Sequence, residues 1–205
     1  MEGLTANVLD CGVAARPLRG ERVSGDKHLI QPFPEGMLIA VVDGLGHGLE
    51  AAEAAKTVVT TLKHHASESA LSLVNRCQAK LAGTRGVAVS MASFNITDST
   101  MTWLGIGNVE GVMVRSQNET TPLKEFLLLT SGFIGGHISD LRAFVVPVEA
   151  GDTLAFATDG VARDFHEEVN IVQSPQKIAD RVLSEHGKDS DDALVVVARF
   201  AGSHK

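Results

Sequence analysis

The stretch Met37-Leu38-Ile39-Ala40-Val41-Val42-Asp43-Gly44-Leu45-Gly46-His47-Gly48 changes character twice. Its first six residues are apolar without interruption and rich in branched side chains, which predicts a strand buried on both faces. A carboxylate, Asp43, stands at the end of that strand. Glycines at 44, 46 and 48 then predict a sharp turn. Beyond the turn, Ala51, Ala54, Ala55, Val58, Val59 and Leu62 recur at helical spacing, and Glu50 and Glu53 sit near the positive N-terminal end, so 48–66 reads as a helix.

Working outward, a second helix is expected over 69–81, where Leu71, Val74 and Leu81 share a stripe with Cys77 or Gln78. The period then changes. Residues 87–96 read as a strand apolar on both faces, a turn follows at Asp98-Ser99, and 101–106 returns as the hairpin partner. Shorter strands are expected at 109–114, 125–129, 142–146 and 153–157. A helix containing Ile178, Ala179, Val182 and Leu183 precedes a last strand over 193–200. Strands joined by short turns point to antiparallel sheets, and the early and late amphipathic helices need sheet faces to cover, so a layered α+β sandwich fits and a parallel doubly wound sheet does not.

Composition narrows the function classes. The chain has 205 residues, 44% of them apolar, enough to build one core, and residues 1–205 are expected to form a single domain. There is no internal repeat or low-complexity segment, and the longest polar stretch, 116–121, is short enough for a loop. The net charge is −7 and the 18 Lys and Arg residues are scattered, which leaves no electrostatic footprint for nucleic acid. No apolar run approaches the ~20 residues needed to span a bilayer, and Met1 to Thr5 lack the features of a signal peptide, so a soluble, cytoplasmic protein is expected with no membrane partner. Cys11 and Cys77 belong to no CxxC pair and read as free thiols rather than zinc ligands or a disulfide.

Three acidic sites fall at the ends of expected strands: Asp43-Gly44, Asp159-Gly160 and Asp191-Asp192. Singly, an Asp-Gly pair is most simply a turn. Together, if sheet ends bring them to one place, their mutual repulsion calls for cations, and hard oxygen ligands favour Mg²⁺ or Mn²⁺ over zinc.

The ordered set Ser24-Gly25-Asp26, Val41-Val42-Asp43-Gly44-Leu45-Gly46-His47-Gly48, Ala157-Thr158-Asp159-Gly160 and Asp191-Asp192 resembles the motifs of the PPM family of metal-dependent protein serine/threonine phosphatases, in its bacterial SpoIIE-like branch. The resemblance spans nearly the whole chain. It implies a four-layer α-β-β-α sandwich of two antiparallel sheets flanked by helices, with two Mn²⁺ or Mg²⁺ ions in a cleft at one end. It further implies that Asp43 bridges both ions, that the Gly44 carbonyl adds a ligand, that Asp159 and Asp191 bind the other ion, and that Asp26 acts directly or through water. Catalysis would run through a metal-activated water held by Asp43, Asp159 and Asp191. The implied substrates are phosphoserine and phosphothreonine on stressosome scaffold proteins of the RsbR/RsbS type, with the chain acting as a monomer.

Some positions depart from the family. Leu45 stands where several members carry a histidine, so His47 is read as part of the turn that opens the helix rather than as a general acid. Arg19 and Arg22 give no secure match to a phosphate-gripping arginine, and Leu194 occupies a place usually held by a small hydroxyl residue. Two other readings compete. The glycine turn could cradle a dinucleotide, but Asp43 would repel a pyrophosphate and the spacing is not GxGxxG. A catalytically inactive docking module on the same scaffold is the alternative, opposed by the retained carboxylates. His64, His65 and His137 show no ligand spacing, and 132–136 is expected to be a mobile turn near the cleft.

Overall fold

The structure is a computed structural model that describes residues 8–116 and 123–202; most of the polar stretch expected as a loop at 116–121 lies outside the described residues. One sheet, A, runs β1 (Leu9–Arg16), β11 (Ala193–Phe200), β10 (Thr153–Ala157), β6 (Glu110–Val114), β7 (Lys124–Phe126). The other, B, runs β2 (Asp26–Phe33), β3 (Gly36–Gly44), β4 (Val87–Asn95), β5 (Thr100–Ile106), β8 (Leu129–Thr130), and β9 (Phe144–Pro147) also pairs with β5. Helices α1 (Gly48–His64) and α2 (Ala70–Leu81) cover sheet B, and α3 (Pro175–His186), with a short 3₁₀ helix over Arg163–Glu168, covers sheet A.

The period-two alternation of each inner strand explains the layering. On β3, Met37, Ile39 and Val41 face the inter-sheet core with Phe94, Met101, Trp103, Phe156 and Phe200, while Leu38, Ala40 and Val42 face α1 and α2. β11 divides in the same way: Leu194, Val196 and Ala198 go between the sheets, and Ala193, Val195 and Val197 lie under α3. A strand buried on both faces has no polar side of its own, which is why 37–42 reads as an unbroken apolar run. The helices start where the sequence marks them: the Ser69 side chain accepts from the Ser72 N–H at 3.3 Å, and Pro175 opens α3.

Four details differ from expectation. β1 and β2 were not anticipated. The strand expected at 125–129 is broken, because the chain leaves sheet A at Phe126, buries Leu127, and enters sheet B at Leu129. β8 then pairs with β5 in parallel, so sheet B is not wholly antiparallel. The 132–136 turn is anchored: Ile134 is fully buried and exchanges two backbone hydrogen bonds of 2.9 Å with Val87.

Candidate active site

The site forms where strand ends from both sheets meet at one edge of the sandwich. Asp26, the first residue of β2, pairs in register with Asp43 near the end of β3, so two carboxylates become cross-strand neighbours on one face. Asp26 is buried, and that burial pushes its pKa to about 8, helped by the charges of Asp43, Asp192 and Asp159 and opposed by the Thr158 hydroxyl, which donates to it at 2.8 Å. Burial likewise raises Asp43 to about 7, with Asp159, Asp191 and Asp192 adding to the shift and a hydrogen bond from Asn108 opposing it. Asp191 is raised too, first by desolvation and then by the Asp159 and Asp192 charges; the Asp192 N–H, donating at 2.8 Å, and the His47 charge pull the other way. The structure therefore brings Asp26, Asp43, Asp159 and Asp191 into one electrostatically coupled group.

Both Asp-Gly pairs owe their glycine to close approach rather than to an unusual backbone angle. A side chain at Gly44 would collide with the Ala51 backbone of α1, and one at Gly160 with the Asp192 backbone. The left-handed residues are Gly46 (φ 89°) and Gly48 (φ 78°), which turn the chain into α1. His47 is the residue before α1; it makes no side-chain cap and its Nδ1 lies 3.3 Å from Glu21. Lys188 donates from Nζ to the Asp159 carbonyl at 2.7 Å. It borders a cleft of about 120 Å³ with Asn108, Asp159, Arg163 and Phe165.

Asp191 and Asp192 are adjacent yet do different work. The Asp192 side chain is buried and accepts the N–H groups of Leu18 and Gly25, both at 2.7 Å, which pins the 17–25 segment carrying Arg19 and Arg22 beside the cluster. Asp192→Ala should cost about 3 kcal/mol of unfolding free energy, since two hydrogen bonds to a charged acceptor are lost. Urea unfolding measures that loss, and faster tryptic cleavage at Arg19 and Arg22 should accompany it.

Asn108 and Thr158 are site residues that the sequence reading does not single out. Asn108 Nδ2 donates to Asp159 Oδ2 at 2.6 Å, and Thr158 Oγ1 accepts the Leu194 N–H at 3.0 Å while donating to Asp26. The hydroxyl absent at Leu194 is thus supplied from β10's end. The only sequence signal was a polar residue just beyond a strand. Arg85, also unread, reaches over the Asp43 turn to the Leu45 carbonyl at 3.3 Å and pairs with Glu50 at 2.7 Å.

The candidate metal ligands in the mouth are all oxygens, which suits Mg²⁺ or Mn²⁺. Among the described residues, the trio of His, Cys, Asp or Glu whose ligand atoms lie mutually within 4.8 Å is Glu168, Glu185 and His186, already engaged by Arg181 (2.7 and 3.1 Å) and Asp164 (3.0 Å).

This fold and this acidic mouth coincide with a family match: residues 34–201 fit the model of Stage II sporulation protein E (SpoIIE), and the chain belongs to that family. Among its relatives, phosphoserine phosphatase RsbX of Bacillus subtilis (strain 168) is 23% identical over 183 residues, 89% of this chain and 90% of that protein. The RsbX structure in complex with magnesium superposes with a TM-score of 0.84 at 22% identity, covering 94% of this chain and 96% of RsbX. A chain of the bacterial stressosome, from a system adapted to control secondary messenger signalling, gives 0.84 at 23% identity over 93% of this chain and 99% of its own. The catalytic domain of the serine threonine protein phosphatase PstP with 2 manganese ions gives 0.71 at 18%, covering 94% and 98%. The shared fold is the two-sheet sandwich flanked by helices.

Proposed function

We propose that this chain is a metal-dependent protein serine/threonine phosphatase, and that the observation carrying this reading is the convergence of Asp26, Asp43, Asp159 and Asp191 from both sheets with Asp26 and Asp43 raised to about 8 and 7. Asp26 is buried, Asp43 and Asp191 are half-buried and Asp159 is exposed, and carboxylates that repel one another in such a mouth are relieved by protonation or by cations. In this reading Asp43, the Gly44 carbonyl, Asp159 and Asp191 would hold two Mn²⁺ or Mg²⁺ ions, with Asp26 acting directly or through water. When bound, such ions supply a water of lowered pKa and offset charge on the phosphoryl group. Thr158 and Asn108 orient the carboxylates, and Asp192 fixes the neighbouring 17–25 segment. A cysteine nucleophile is disfavoured, because burial pushes the Cys11 thiol up to about 11 and the Cys77 thiol to about 12.

The similarity to RsbX and to a stressosome chain supports phosphoserine or phosphothreonine on stressosome scaffold proteins of the RsbR/RsbS type as substrate. A monomer acting in the cytoplasm fits this; among the described residues no helix is long and apolar enough to cross a membrane. Purified protein should release phosphate from a phosphorylated scaffold protein in the presence of Mn²⁺. The kcat/KM for the intact scaffold should exceed that for a short peptide bearing the same phosphoserine by at least ~10-fold, because docking raises the local concentration of the phosphoryl group. Equal values would remove the docking partner, and turnover of small phosphate esters alone would remove the protein-phosphatase reading.

A further inference from the structure

Asn108 lies in the connection that carries the chain from β5 of sheet B to β6 of sheet A. Its amide nitrogen donates at 2.6 Å to Asp159, which follows β10 of sheet A. A side chain from the connection between the two sheets thereby holds one member of the acidic group. The other end of the amide is in the opposite condition: Oδ1 is shut from solvent and has no hydrogen-bond partner. Turning the amide over would satisfy nothing, because it would press Oδ1 against the Asp159 carboxylate and leave that carboxylate without its donor. An amide oxygen left in that state carries an unrelieved desolvation cost, which an apolar side chain of the same shape would avoid. Packing alone gives no reason for an asparagine here; holding the Asp159 carboxylate in place does.

We propose that Asn108 is a positioning residue that preorganises the cation site, holding the Asp159 carboxylate from the connection between the two sheets before any ion arrives. This rests on the reading of the aspartates as a cation site. Fixing ligands through a hydrogen-bonded neighbour affects affinity more than folding, and losing such a neighbour weakens metal binding about 10–100-fold.

The test is titration calorimetry of Mn²⁺ into the wild type, Asn108→Leu and Asn108→Ala, together with metal-free melting curves. Asn108→Leu removes the orphaned oxygen with the donor and keeps the volume, so it should melt within a few degrees of wild type in EDTA. Both variants should bind Mn²⁺ about 10–100-fold more weakly than wild type. A folded variant whose Kd stays within about threefold of wild type overturns the proposal, as does loss of folding in both variants, which would make Asn108 a packing residue. A wild type that takes up no Mn²⁺ would instead overturn the reading of the aspartates themselves.

Discussion

Asp43→Asn should lower kcat/KM on a phosphorylated scaffold protein at least ~10³-fold, while the metal-free protein melts no lower than wild type. The two halves of this result have one cause. Asp43 sits opposite Asp26 in the β2–β3 ladder and within the field of Asp159 and Asp191, and its pKa near 7 records how poorly the fold tolerates its charge without an ion. A carboxamide of the same shape resembles the protonated acid, so the apo fold loses a repulsion and nothing else. What it cannot do is bridge cations. Asp159→Asn should behave similarly in activity. Circular dichroism and melting in EDTA, measured beside phosphate release, separate the outcomes: an unfolded variant would make Asp43 a structural turn residue, and near-normal turnover in a folded one would remove it from the site.

Exhaustive chelation should abolish activity, and Mn²⁺ or Mg²⁺ should restore it, since oxygen-ligated sites exchange ions readily. The same treatment should expose a dependence of stability on pH. Asp26 and Asp43 titrate near 8 and 7 in the folded chain but near 4 when unfolded, so the native state binds more protons between those values. For a group raised on folding, stability is full below the unfolded pKa and is lost as pH climbs through the folded one. The metal-free protein should therefore lose on the order of 2 kcal/mol between pH 6 and 8. With saturating Mn²⁺ the loss should disappear, because the ion displaces those protons. Urea unfolding at both pH values, with EDTA and with Mn²⁺, checks the sign.

The parts of the fold legible in the sequence are those buried on both sides. β3, β4, β10 and β11 lie inside the four layers, so their residues are apolar almost throughout and their limits are sharp. β1 and β2 are edge strands. Asp10 and Arg16 on one, and Lys27, His28 and Pro32 on the other, interrupt the alternation because one side of each strand is only partly covered. The break at Leu127 was invisible for another reason: a crossing from one sheet to the other keeps the apolar pattern while changing the partner. Of the site, Asp43, Asp159 and Asp191 could be nominated because acid at an expected strand end is conspicuous, and Asp26 only because Ser24-Gly25-Asp26 resembles a family motif. Asn108 and Thr158 could not, since a lone polar residue after a strand gains meaning only from what the opposite sheet places beside it. Asp191-Asp192 reads as one motif and is two devices, a distinction that resides in which way each side chain faces.

The placement of β11 has a consequence for synthesis. It is the last strand in sequence yet lies second in sheet A, where all eight of its residues pair with β1 and five with β10. Until it leaves the ribosome, the first strand of the chain has no partner and the inter-sheet core lacks Val196 and Phe200. Sheet B, whose neighbouring strands β2 to β5 are contiguous in order, can assemble during translation; sheet A cannot. A chain stopped before Ala193 should thus be recognised as unfinished by proteases, and no ion could rescue it, because the segment bearing Asp191 would be displayed on a strand connection that had not yet closed.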